Sequence, residues 1–292
     1  MNAPPSFLTH ELTIVTVLVG SEKKPFYLYK EVLCHHSEYF RNAFNGEFRE
    51  ASKRELVLDD TNVETFRYVA QWLHDQGNNT PLTRQYWVFH NLRLVDNLKK
   101  HTSAPLATHS SPDSQNSNGN DEGVPMPSPS SLASAAAENL LNLYIFADRY
   151  DIRELRNDIM DVWRYEEIAS DPYPDPGLDN NVFLRAILST PSQSTLRRYL
   201  LKRHATSINW HTATRKKWLG EIWDQLPSDF TLDFLCMQSA HVKASKRPLY
   251  KDFWEWCNYH EHESDQESTE CALEVSKLRT ALETLGTLKR KR

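Results

Sequence analysis

The sequence predicts an α+β fold that is mostly α: a small sheet flanked by helices, then an all-helical region. Three observations predict it. Residues Ile14 to Val19 read IVTVLV and end on Gly20, a density of β-branched side chains that belongs to a strand. Between Lys30 and Leu73 the apolar residues recur at three- and four-residue spacing, interrupted once by the two-residue alternation of Leu56 and Leu58. From Asn180 onward only helical spacings recur, first at Leu196, Tyr199 and Leu200, then at Leu219, Ile222, Trp223 and Leu226 up to Pro227.

In chain order, Ile14 to Val19 reads as a strand buried on both faces. Ser21 to Pro25 is its hairpin turn and Phe26 to Tyr29 the return strand. Two short helices follow, one carrying Val32 and Leu33, the other an apolar face of Tyr39, Phe40, Ala43 and Phe44. Ser37 between them is placed to cap the second. A longer helix carries Val63, Phe66, Ala70 and Leu73, and Thr61 with Glu64 forms a Thr-x-x-Glu capping box at its start. The turn formers from His74 to Pro81 end it. Tyr86 to Leu98 is apolar enough to pack, and strand and helix fit it equally.

From Thr102 to Ser134 the composition collapses to Ser, Pro, Asn, Gly and Asp without an aromatic residue. Such a segment buries too little apolar surface to offset the entropy of ordering it, which predicts a disordered insertion. Ser111-Pro112 and Ser128-Pro129 within it are candidate phosphorylation sites. Order is expected to resume at Ala135, with Leu140, Leu143, Tyr144 and Ala147 on one helical face. Asp151 with Glu154 restarts a helix bearing Ile152, Leu155, Ile159 and Val162. Asp171 to Asp179, DPYPDPGLD, reads as a connection. Beyond it, a helix is expected through Tyr250, Phe253, Trp254 and Cys257, and a last one through Cys271, Val275, Leu278, Leu282 and Leu285, closed by Gly286.

Several of these residues together carry a family resemblance. Lys30-x-Val-Leu33, Ser37-Glu38-Tyr39-Phe40 and Phe48-Arg49-Glu50 before a Leu-x-Leu-x-Asp strand at Leu56, with the run LYIFADRYDIREL from Leu143 to Leu155, resemble the BTB/POZ domain in the order that family uses them. The overall plan is similar to fungal BTB proteins. The resemblance implies a first part of the domain over residues 11–100, the insertion over 101–135 and closing helices over 136–168. A helical C-terminal domain over 180–286 and a basic tail over 287–292 follow. It also implies a protein-interaction module rather than an enzyme.

Two positions depart from the family pattern. Ile14 stands where an acidic residue is usual, and Tyr29 where a His often precedes the Lys of the first helix. In BTB transcription factors these positions line a charged groove that recruits co-repressors, a role the resemblance therefore does not carry over. Roughly a dozen residues precede Ile14, little room for the exchanged N-terminal element of many BTB homodimers, so self-association by that route is not expected.

Three groups of residues are candidate sites. The resemblance implies that Phe48, Arg49 and Glu50 are the apolar-x-Glu triplet with which BTB adaptors of cullin-type ubiquitin ligases fill a pocket on the cullin. The alternative is a Phe that packs locally beside a solvated Glu. Cys257, His260, His262 and Cys271 supply two thiols and two imidazoles, a tetrahedral zinc set. The alternative there is that both cysteines are small buried apolar groups on helix faces. Lys289, Arg290, Lys291 and Arg292 form a basic cluster of the kind read by nuclear import receptors, or a solvated tail. Arg197-Arg198 and Arg215-Lys216-Lys217 beside Trp218 read as exposed helix faces.

Composition narrows the classes further. The net charge is -5, so nucleic acid is not the expected partner. Four cysteines in 292 residues make no disulfide framework, which points to a reducing, intracellular compartment, nucleus or cytoplasm. No apolar run approaches the length of a membrane span and no secretory leader is visible. The sequence contains no phosphate-cradling glycine loop, no G-x-S-x-G and no His-Glu-x-x-His. The reading that follows is a non-enzymatic adaptor joining a cullin to a substrate protein. A nuclear BTB scaffold or transcriptional regulator is the alternative, and a zinc-binding enzyme a third.

Overall fold

A computed structural model describes residues 5, 12–75, 129–170, 180–207, 217, 220–243, 256–274 and 276–277. The segment Tyr86 to Leu98, most of the expected insertion, the connection Asp171 to Asp179 and residues Tyr250, Phe253 and Trp254 lie outside the described residues. So do Val275, Leu278, Leu282, Leu285, Gly286 and the basic cluster Lys289 to Arg292.

Among the described residues the sheet has three strands: β1 (Ile14–Val19), β2 (Lys24–Tyr29) and β3 (Glu55–Leu58), in the order β2-β1-β3. β1 pairs antiparallel with β2, Ile14 opposite Tyr29, and parallel with β3, Val17 opposite Leu56. A parallel pair needs a crossover; three short helices supply it, α1 (Lys30–His36), α2 (Glu38–Asn45) and α3 (Arg49–Lys53). Val15, Val17 and Val19 are buried, with Leu56 and Leu58 beside them, whereas Ile14 is exposed and Thr16 and Leu18 are half-buried. β1 thus alternates, correcting the expectation of a strand buried on both faces: among the described residues, one side of the sheet is covered more fully than the other. The turn after β1 needs Gly20, whose φ is +75° and whose N–H donates to Leu58 O at 2.9 Å. A Cβ there would also lie 3.2 Å from Val63 Cγ2.

Ser37 makes the turn between α1 and α2. Its hydroxyl oxygen accepts from the Phe40 N–H at 3.1 Å, the predicted cap, and its O–H donates to Tyr150 O at 2.5 Å. Ser37→Ala removes both bonds and leaves a buried carbonyl without this donor. It is expected to cost about 1–3 kcal/mol, read as a lower denaturant midpoint at unchanged slope.

α4 (Val63–Asp75) buries Phe66, Val69, Trp72 and Leu73. Its cap is Asn62, not Thr61: Asn62 Oδ1 accepts from the N–H groups of Glu64 and Thr65, at 2.8 and 3.3 Å. Thr61 is drawn inward to the Tyr150 hydroxyl at 3.2 Å, and Glu64 pairs with Arg67 instead of reaching back. The Thr61–Glu64 box is thereby corrected by one residue.

Two longer helices close this region, α5 (Pro129–Arg149) and α6 (Arg153–Ser170). α5 takes in the last residues of the stretch expected to lack order, with Pro129 at a first-turn position that tolerates its missing N–H. Asp151 has φ +49° and does not cap α6; its carboxylate accepts from Arg156 Nη2 at 3.3 Å. Phe146 stands edge-on to Phe66 at 5.7 Å, which sets α5 on α4. Trp72 Nε1–H donates to the buried Asp158 at 2.8 Å, which sets α6 there too.

The described residues of the C-terminal region include α7 (Asn180–Ser189), α8 (Thr195–Ser207), a 3-10 turn at Trp223–Gln225, α9 (Ser228–Lys243), a 3-10 turn at Trp256–Tyr259 and helical residues 265–274. Leu196, Tyr199 and Leu200 are buried as their spacing predicts. Pro227 ends one element and starts the next, its carbonyl accepting from Thr231 N–H at 3.0 Å. Tyr144 on α5 joins its hydroxyl to Thr195 Oγ1 at 2.9 Å and accepts from Leu196 N–H at 3.3 Å. One continuous core runs from Val15 to Tyr259 through both regions. Among the described residues no helix is long and apolar enough to cross a membrane.

Candidate functional site

Phe48 lies between α2 and α3. Gly46 ends α2, and Phe48, in extended conformation, immediately precedes Arg49 at the start of α3. The ring turns outward and is 67% exposed. It rests on the Gly46 backbone: a Cβ on Gly46 would lie 3.1 Å from Phe48 Cδ2 and 2.6 Å from Asn42 O. Arg49 is exposed and Glu50 half-buried in the first turn of α3. The triplet therefore presents most of its apolar member to solvent, with the ring packed locally only on the Gly46 backbone.

Tyr39 belongs to the same surface, although its helical spacing placed it inward. It is 40% exposed and stands edge-on to Tyr150 at 5.0 Å. Burial lifts the Tyr39 hydroxyl above its ordinary pKa, and the neighbouring Tyr150, Glu50 and Asp60 add to the lift. Asp60 also pairs with Arg149. The surface thus offers two aromatic rings beside carboxylates, the mixture of apolar body and polar rim common in protein interfaces. The exposure of Tyr39 had one sequence signal: a residue next to Phe40 cannot share its inward direction fully.

At the other end of the chain, Cys257, His262 and Cys271 bring one ligand atom each to within 4.8 Å of one another. Cys257 Sγ lies 3.6 Å from His262 Nε2, and Cys271 Sγ 3.1 Å from His260 Nδ1. His260 Nε2 meets Asp161 Oδ1 of α6 at 2.9 Å. Cys257 also donates to Ser268 O at 3.4 Å. Both cysteines are half-buried, with Ser268, His260 and His262 as polar neighbours of their sulfurs. Burial, then the Cys257 sulfur beside it, pushes the Cys271 thiol up to about 12, and burial lowers His262. Asp161 is the member that sequence reading missed, since nothing local marks it.

α6 grips this segment along one face. Arg156 Nε and Nη2 donate to the Glu261 carboxylate at 2.9 and 2.5 Å, and Arg156 Nη1 donates to Ala147 O at 3.0 Å. Asn157 exchanges two bonds with the Glu261 backbone, at 2.9 and 3.1 Å. Arg153 pairs with Glu267 at 3.0 Å.

Arg197, read as an exposed face, is buried: Nη2 donates to Asp229 at 2.6 Å, Nη1 to Ile187 O at 3.3 Å, and the guanidinium stands over Phe230. Its charge joins α7, α8 and α9. Arg198 and Lys217 are exposed, and Arg215, Lys216 and Trp218 lie outside the described residues.

The BTB/POZ domain family model matches residues 5–101. Residues 5–101 are a BTB/POZ domain. No curated protein matches the chain. The BTB match spans the sheet, α1 to α4 and the Phe48 surface, and it ends before α5. α5 and α6 pack into the same core through Phe146, Tyr150 and Ile152, all buried. The BTB domain is a module for protein–protein interaction, so protein partners follow. Within it, Ile14 and Tyr29 are register partners across β1 and β2.

Proposed function

We propose that the protein is an adaptor whose BTB surface around Phe48 and Glu50 binds a cullin, while the helical region holds a second protein as substrate. The observation that carries this reading is the exposed Phe48 ring, held outward at the start of α3 in the triplet position that the family resemblance assigns to cullin contact. An apolar ring kept in water costs free energy that a receiving pocket recovers. Full burial of such a ring is worth about 1.5–3 kcal/mol, enough to dominate an interface. Catalysis then belongs to the ligase that the adaptor recruits. The apolar Ile14–Tyr29 pair favours this reading over co-repressor binding at a charged groove.

The test is calorimetric titration of the full chain with the N-terminal domain of a cullin. Phe48→Ala is expected to weaken binding about 10–100-fold, the factor for about 1.5–3 kcal/mol. Its folding stability should stay within about 0.5 kcal/mol of the parent, because the ring is exposed. Glu50→Ala is run beside it, and circular dichroism checks both folds. A parent protein that does not bind removes the adaptor reading and leaves a BTB scaffold.

A further inference from the structure

We propose that Cys257, His260, His262 and Cys271 form a structural zinc site that fastens the C-terminal segment, with Asp161 of α6 fixing one of its histidines. This inference stands apart from the cullin reading, since it uses neither Phe48 nor any partner.

Three of the four ligands are already close enough for one metal ion. Tetrahedral zinc, with Zn–S near 2.3 Å and Zn–N near 2.0–2.1 Å, sets an S···N edge of about 3.6 Å. The Cys257 Sγ to His262 Nε2 separation is 3.6 Å. Three ligand atoms already share one small volume, and the fourth ligand's Nδ1 lies 3.1 Å from Cys271 Sγ. His260 stands outside the group of three ligand atoms that share 4.8 Å, so a turn of its ring toward Cys257 and His262 completes the set.

The carboxylate behind His260 is the second observation. Asp161 Oδ1, 2.9 Å from Nε2, is an acceptor, so Nε2 carries the proton and the lone pair sits on Nδ1, toward the sulfurs. A carboxylate on the far nitrogen is what orients a metal-bound histidine and raises its basicity. Asp161 and Asn157 are one helical turn apart on α6, and together they hold the consecutive residues His260 and Glu261.

Binding balances in charge and protons. The two thiols release their protons to solvent, the two imidazoles bind through neutral nitrogens, and two thiolates offset the dication. With four protein ligands the site is closed and leaves no position for a substrate, so its role is structural rather than catalytic. It ties the turn at 256–262 to helical residues 265–274, and through Asp161 ties both to α6.

The experiment is elemental analysis of the full chain purified from zinc-supplemented cells, followed by cobalt(II) substitution. The expected result is one zinc per chain and, with cobalt, thiolate-to-metal charge-transfer bands together with the visible bands of a tetrahedral site. Cys271→Ser and His262→Ala should lose the metal, while Cys236→Ser, whose thiol lies exposed outside the cluster, should retain it. Asp161→Asn should weaken zinc binding about 10–100-fold in chelator competition. A folded parent chain without metal overturns the site, and so does undiminished stoichiometry in Cys271→Ser. Should Cys271→Ser fail to fold, a cobalt spectrum of the parent lacking thiolate bands overturns it independently.

Discussion

Replacing Arg156 with alanine is expected to destabilise the chain by about 3–5 kcal/mol. The side chain is buried and its guanidinium satisfies three partners at once: the Glu261 carboxylate, the Ala147 carbonyl in the last turn of α5, and Asp151 at the α5–α6 turn. Removing it leaves the half-buried Glu261 carboxylate without its counter-ion and empties the buried space of the arginine stem. Breaking a largely enclosed ion pair by removing one partner is among the costlier single changes in a fold. Glu261→Ala should cost less, because the arginine keeps Ala147 O and Asp151. The double variant should cost less than the sum of the two, since the pair is removed only once. Denaturant midpoints of the four chains measure this. Hydrogen exchange adds a location: amides at 257–262 should lose protection in Arg156→Ala, because α6 holds that segment mainly through Arg156 and Asn157. Equal costs for both single variants would mean that the Ala147 and Asp151 bonds contribute nothing.

Features whose partners are near in sequence were legible before the structure. Ser37 caps α2 because its hydroxyl needs a donor only three residues away, and Ile14 to Val19 read as a strand from their β-branched run, although not as one with a single buried face. The Cys257–Cys271 cluster was visible through residue type and spacing alone. What escaped depends on distant partners. Thr61 looked like a cap, yet Tyr150 claims its hydroxyl across the fold and Asn62 takes the role. Arg197 looked like surface because it is charged; Ile187 O and Asp229 make it interior. Asp161 stands 99 positions from His260, so no local pattern could join them. α9 also escaped, since Phe230 and Phe234 are buried while Leu232 and Leu235 between and after them are exposed, which blurs the helical stripe. The Phe48 triplet was legible as a string, but its outward orientation was not: that follows from Gly46, whose missing Cβ lets the ring lie on the backbone.

Trp72→Ala is expected to cost about 3–5 kcal/mol, the range for removing a fully enclosed large aromatic. Trp72 sits where three elements meet: on α4, edge-on to His36 of α1 at 5.0 Å, with its indole N–H donated to Asp158 of α6. Two contributions are mixed in that figure, lost packing and a lost bond to a buried carboxylate, and Trp72→Phe separates them. Phenylalanine restores most of the volume but has no N–H, so its residual cost, about 1–3 kcal/mol, reports the bond to Asp158. Asp158→Asn keeps an acceptor in the same place and should cost less than Trp72→Phe. The family match ends before α5, so the Trp72–Asp158 bond joins matched to unmatched sequence. If α6 is part of one cooperative unit with the sheet, native-state exchange in Trp72→Ala should speed up in β1, α4 and α6 by the same factor. A change confined to α6 would instead make the closing helices a separately unfolding layer on a core that stands without them.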